Sequence, residues 1–184
     1  MLATVENSLE KMRQLMLQLR EGEAPAGGQS GVELTPLVRR IEAVAAERGR
    51  TVEVVITDAV VTRGHDQRIE RVLGHVVQNA LDATEPKDRV WLKLSRRAGQ
   101  AQIEIGDTGV GMSQEYVQTR LFKPFQTTKQ TGMGIGAYES LQYVRELGGS
   151  ISVDTELGRG TVMTIGLPLF ESRHASDLQV SSAK

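Results

Sequence analysis

Apolar residues open the chain at Leu2, Val5, Leu9, Met12, Met16 and Leu19, steps of three and four that draw one seam along a helix. Glu6, Glu10, Lys11 and Arg13 fall off that seam. Such a stripe can be the core face of a helix lying on its own domain, or a face for a second copy. The stretch at residues 21–31, EGEAPAGGQSG, is rich in Gly, Ala and Ser and has the composition of a flexible linker. A strictly heptad-spaced helix on such a tether is expected to pair with a second copy as a homodimer. The chain is thus divided into a helix over 1–22, a linker over 23–33, a domain over 34–170 and a polar tail over 171–184.

Within the domain the period alternates between helical and extended. Thr35-Pro36 reads as a cap residue and a proline at the first helical position. Leu37, Val38, Ile41, Val44 and Ala45 then share one face, and Arg48-Gly49-Arg50 closes the helix. Residues 51–57 (TVEVVIT) are β-branched and strand-like. Asp66 can cap a second helix running to about Ala83, with Ile69, Val72, Leu73, Val76, Val77 and Ala80 on its buried side. Residues 89–95 and 101–105 form a hairpin around Ala98-Gly99. A further helix spans 135–147 and stops at Gly148-Gly149. A last hairpin pairs 151–153 with 161–167 around Gly158-Arg159-Gly160. Helices interleaved with strands that also pair as hairpins predict an α+β domain, a mixed sheet with helices packed on one face in a two-layer α/β sandwich.

Composition narrows the chemistry. With 39% hydrophobic and 24% charged residues among 184, the chain can build a core. Lys plus Arg (22) balance Asp plus Glu (23), which leaves no basic excess for a nucleic-acid groove. The absence of cysteine excludes disulfide scaffolds, Cys-ligated zinc, iron–sulfur clusters and thiol nucleophiles. The three histidines, His65, His75 and His174, form no His-Glu-x-x-His pair. No apolar run approaches a membrane span and no signal-peptide pattern opens the chain. The expectation is a cytoplasmic chain with no membrane contact of its own, whether or not its parent protein is anchored.

Three stretches can carry chemistry. His75, Asn79 and Asp82 lie four and three apart, on one face of the second domain helix. An amide and a carboxylate there can offer the hard oxygen ligands magnesium prefers, or simply form a solvated polar face. Asp107-Thr-Gly109-Val-Gly111 follows a strand, where an aspartate can accept hydrogen bonds from an exocyclic amine such as that of adenine, although Asp-x-Gly-x-Gly is also a common turn. Thr127-Thr128-Lys129, then Gly132, Gly134, Ile135 and Gly136, feeds a helix N-terminus whose amides and dipole suit a phosphate. That segment is neither the Gly-x-x-x-x-Gly-Lys-Ser/Thr loop nor the dinucleotide fingerprint.

The order and spacing of these stretches resemble the GHKL ATPases, and within them the catalytic ATP-binding domain of sensor histidine kinases, over residues 34–169. Residues 75–83 are similar to the family's asparagine box, 107–111 to its first glycine box, Leu121-Phe122-Lys-Pro124-Phe125-Gln-Thr-Thr128-Lys129 to its phenylalanine box, and 132–136 to its second glycine box. Gly148-Gly149 through Gly158-Arg-Gly160-Thr161 and Leu167-Pro168 resembles the family's closing hairpin. The flavour is that of nitrogen-regulator-type kinases or the orphan kinases of exosortase systems.

The resemblance implies a Bergerat-type fold, ATP and Mg2+ as cofactors, and a set of roles. Asn79 coordinates the metal, with Asp82 beside it on the box. Asp107 reads the adenine amine, with Gly109, Gly111 and Thr161 around the base. Thr128, Lys129, Gly132, Gly134, Ile135 and Gly136 hold the phosphates. Phe122 and Phe125 root the family's lid or merely pack in the core.

In hydrolysing relatives a glutamate stands four residues before the metal-binding asparagine; here that position is His75, which suits phosphotransfer better than hydrolysis. His75 is either a catalytic part or only a contact to phosphate or magnesium-bound water. The family's acceptor histidine lies on an upstream helix, yet no histidine precedes His65. The chain therefore reads as a fragment: the second half of a dimerisation hairpin, a linker and the catalytic domain. Its implied partners are an acceptor-histidine helix and a response regulator, and it is not expected to autophosphorylate by itself. An ATP-sensing interaction module without turnover, or another GHKL ATPase or serine kinase, are the alternatives.

Overall fold

A computed structural model describes residues 30–126 and 134–170. The expected N-terminal helix, most of the linker, the tail, and Thr128, Lys129 and Gly132 lie outside the described residues. The elements run β1 (Ser30–Glu33), α1 (Leu34–Glu47), β2 (Glu53–Ile56), β3 (Val61–Gly64), α2 (Asp66–Asp82), β4 (Val90–Arg97), β5 (Gln100–Asp107), α3 (Gln114–Thr119), α4 (Gly136–Glu146), β6 (Ser150–Glu156) and β7 (Gly160–Pro168). The main sheet has the order β2-β4-β5-β7-β6; β2 runs parallel to β4 and every other pair is antiparallel. This is the expected mixed sheet.

Strand alternation decides which face meets the helices. Val90, Leu92 and Leu94 on β4, Ile103 and Ile105 on β5, and Met163, Ile165 and Leu167 on β7 are all buried on one face. They meet Leu37, Val38 and Ile41 of α1, Ile69, Leu73, Val76 and Val77 of α2, and Tyr143 and Val144 of α4 in one core. Each fully buried Leu or Ile contributes about 1.5–3 kcal/mol by leaving water. On the opposite face the Trp91 ring lies where a side chain at Gly106 would have to stand, and its Nε1 donates to Glu104 at 2.9 Å.

Several details depart from expectation. The linker ends early: Ser30–Glu33 pair antiparallel with β3, register Val32 to Thr62, because an extended backbone beside an open edge is satisfied by pairing. Phe170 closes the same corner, its amide donating to Val61 O at 2.8 Å. Helix α1 starts at Leu34, so Thr35 is inside its first turn; the N-cap is Glu33 without a side-chain bond. Val44, expected on the buried face, is 45% exposed because its edge of α1 borders a groove of about 310 Å³ facing α2. Helix α3 begins where Ser113 Oγ accepts from Tyr116 N at 3.1 Å. Among the described residues no helix is long and apolar enough to cross a membrane.

Candidate functional site

Helix α2 carries the first candidate residues along one edge. His75 and Asp82 are exposed and Asn79 half-buried, while Val76, Val77 and Ala80 face the core. The C-terminus of α2 is tied twice: Thr84 Oγ1 donates to Ala80 O at 2.9 Å and accepts from Arg50 at 2.7 Å. Asp82 accepts from Gln78 Nε2 at 2.6 Å, and Gln78 in turn accepts from Arg48 at 2.9 Å.

Helix α4 crosses α2 in the opposite sense and is pinned at both ends. At its far end the buried Tyr143 hydroxyl accepts from His65 N at 2.8 Å, under an Arg68 guanidinium 3.7 Å from the ring centroid. Arg68 also pairs with Glu146 at 3.0 Å. At its near end a Cβ on Gly136 would overlap the His75 imidazole. Only glycine lets His75 lie against the first turn of α4, and this contact brings the asparagine-box and second glycine-box segments together. Between the pins, burial raises the Glu139 carboxyl above its ordinary pKa, against the opposing pull of Arg71 and Arg68. Gly134, at φ +69, packs on the backbone of Gln126, so the residues bracketing 127–133 are neighbours.

The first glycine box turns at the end of β5. Asp107 is 4% exposed, and Gly109 N donates to its Oδ1 at 2.9 Å. Burial raises the Asp107 carboxyl above the usual range, opposed by the backbone N–H groups of Gly109 and Thr161; Asp88 adds to the rise. Val110 N donates to Ala83 O at 3.1 Å, and Gly158 N to Val110 O at 2.8 Å, so the box is wedged between the end of α2 and the β6–β7 turn. A Cβ on Gly109 would meet Ala83 O, and one on Gly111 would meet Glu156 O. Close backbone approach therefore accounts for both glycines before any ligand is considered.

Of the candidates within the described residues, His75, Asn79 and Asp82 share α2, Gly134, Ile135 and Gly136 open α4 against it, and Asp107, Gly109, Gly111 and Thr161 gather where β5 ends and β7 begins, where Ala83 joins them to α2. Ile135 is buried and serves as the N-cap of α4. Phe122 packs against the core, whereas Phe125 is 44% exposed at φ +63.

Thr155 escaped notice in the sequence. Met112 N donates to its Oγ1 at 2.9 Å, and that hydroxyl donates to Gly160 O at 2.9 Å. The available signal was its inward strand parity with Ile151 and Val153.

Residues 64–171 match the family described as histidine kinase-, DNA gyrase B-, and HSP90-like ATPase. The chain belongs to this family, and its described domain is the ATP-binding catalytic domain of the sensor-kinase type. It is 31% identical over 125 residues to the sensor protein DegM of Bacillus sp. (strain B21-2), covering 68% of this chain and 33% of DegM. It is 30% identical over 113 residues to sporulation kinase C of Bacillus subtilis (strain 168), covering 61% and 26%. The chain thus spans about a third or less of these relatives. Among solved structures, the mycobacterial sensor histidine kinase MprB superposes with a TM-score of 0.68 at 27% identity, over 79% of this chain and all of that one.

Proposed function

We propose that the domain binds magnesium-ATP and passes the γ-phosphate to a histidine on a dimerisation helix, from which a response regulator receives it. The observation that carries this is the His75–Gly136 contact, which sets the polar edge of α2 against the N-terminus of α4. A helix N-terminus presents unpaired amides and a positive dipole end to a phosphate. Thr128, Lys129, Gly132, Gly134, Ile135 and Gly136 hold the phosphates, and Asp107 and Thr161 take the adenine edge, with Gly109 and Gly111 giving the base room.

Among the described residues no group of three His, Asp or Glu offers a metal cage. The Asn79 amide oxygen, with Asp82 beside it on the same helix edge, would hold a divalent ion, and hard oxygen donors of this kind suit magnesium. When bound, magnesium would neutralise negative charge on the phosphates. His75 supplies no carboxylate to activate water, so the γ-phosphorus waits for the acceptor imidazole. That nitrogen bonds to phosphorus as the bond to the bridging oxygen breaks, leaving ADP. The heptad-spaced N-terminal segment pairs with a second copy. The catalytic domain works on the cytoplasmic side of whatever parent carries it.

The test supplies an acceptor-histidine helix in trans with ATP labelled at the γ-phosphate. Acid-labile label on histidine is expected. Its absence, under conditions where nucleotide is bound, would leave an ATP-binding module and refute the kinase chemistry.

A further inference from the structure

Asp107, Thr161 and Thr155 form a row across three strands: Asp107 pairs with Thr161 in the β5–β7 register, and Thr161 with Thr155 in the β7–β6 register. Directly opposed residues in antiparallel strands share a face, so the three polar side chains stand side by side at the end of the sheet. All three are buried, at 4%, 8% and 6% exposure.

The proton directions in this row are forced. The Thr155 hydroxyl has one proton and makes three contacts of 2.9 Å, to Met112 N, Gly160 O and Thr161 Oγ1. The Met112 amide can only donate. The Gly160 carbonyl can only accept, so it takes the single Thr155 proton. The remaining contact must then be donated by Thr161, whose own proton is thereby spent. Beside it, an ionised Asp107 carboxylate has no proton either. With Asp107 ionised, the row presents two acceptors abreast and no donor.

We infer that Thr155 is a positioning residue for base specificity: by fixing Thr161 as an acceptor, it makes the site take a 6-amino purine and reject a 6-oxo purine. This rests on the adenine-edge assignment of Asp107 and Thr161 proposed above. An exocyclic amine brings two N–H donors to two acceptors. A 6-oxo base brings a carbonyl oxygen, which would face lone pairs on both sides. Were the Thr161 proton free, that hydroxyl would rotate and donate to the oxo group, and discrimination would fall.

The experiment measures the dissociation constants of ATP and inosine triphosphate, with magnesium, by calorimetry on the full chain and on Thr155→Ser and Thr155→Val. Thr155→Ser keeps the hydroxyl and the wild-type preference. Thr155→Val removes it without changing shape, and the preference for ATP should drop about tenfold, the scale of one mispaired buried polar group. Equal weakening of both nucleotides, with the ratio unchanged, marks a merely structural role and overturns the inference. Should Thr155→Val fail to fold, Thr161→Val leaves Thr155 bonded to Met112 and Gly160 and must also lower the ratio; an unchanged ratio there overturns it equally. A wild-type chain that prefers ATP beside an unaltered Thr155→Val discards only the Thr155 assignment. A wild-type chain that binds both bases alike discards the base site with it.

Discussion

Gly136→Ala separates binding from folding. The added methyl would overlap the His75 ring, whose atoms are the nearest it meets, and the backbone there is not in the left-handed region. His75 is exposed, so its ring has room to turn, at the loss of the interaction it makes in the folded domain. Displacing it costs about 0.5–1.5 kcal/mol if it leaves its rotamer well, and about 0.5–1.5 kcal/mol more for the interaction it gives up. Replacing glycine by alanine in the first helical turn returns up to about 1 kcal/mol. The gain offsets part of the cost, so stability should fall by no more than about 2 kcal/mol, a shift of roughly 4–8 °C or less in Tm for a chain of this size.

Nucleotide binding has no such compensation, because His75 and the α4 amides are driven apart. Loss of one hydrogen bond to a charged group is worth about 1.5–3 kcal/mol, or roughly tenfold to a hundredfold in Kd. Thermal unfolding without ligand and calorimetry with magnesium-ATP measure the two effects separately. A variant with wild-type affinity, or one that melts far below the wild type, would refute the contact that joins α2 to α4. Gly109→Ala is the contrast: its methyl meets the Ala83 carbonyl, which cannot swing away, so it should cost about 1–3 kcal/mol of stability as well as binding.

Further outcomes follow from single residues. The Asp107 carboxyl titrates above its ordinary range, so the folded state holds its proton more tightly than the unfolded chain. Its contribution to stability is therefore largest at low pH and is lost as pH rises from the ordinary carboxyl range through the raised value. ATP affinity should run the other way, falling as the carboxylate protonates, and comparing pH titrations of wild type and Asp107→Asn isolates both slopes. Asn79→Ala should bring affinity in magnesium down to the value measured in chelator; a remaining magnesium dependence would move the metal elsewhere. Ala98 sits at φ +50 in the β4–β5 turn, a conformation that disfavours alanine, so Ala98→Asn should add up to about 1 kcal/mol in urea unfolding without touching nucleotide affinity.

Long periodic segments were legible in the sequence. The stripe of α2 named its own buried face, β4, β5 and β7 were recognisable as strands, and the glycines closing α4 and both hairpins marked where they stop. Short elements were not. Four-residue β1 and β3 exist because they pair with each other, a non-local fact that neither SGVE nor VTRG announces. Six-residue α3 buries no residue and so leaves no apolar stripe to read. Val44 looked like core because it follows the period of α1, but burial depends on what stands opposite. At the site, the residue types of the boxes were visible and their convergence was not: the antiparallel crossing that lays His75 on Gly136 belongs to tertiary packing. Thr155 was hidden for the same reason, since its three partners come from residues 112, 160 and 161.

The most direct measurement is a two-dimensional amide NMR titration of the chain with magnesium-ATP. Shifts should concentrate at 75–83, 107–112, 134–137 and Thr161, and weaken when magnesium is chelated. Shifts gathered instead along the α1–α2 groove, around Val44, Gly74 and Val77, or absent from one of the three box segments, would contradict a single nucleotide held where those segments meet.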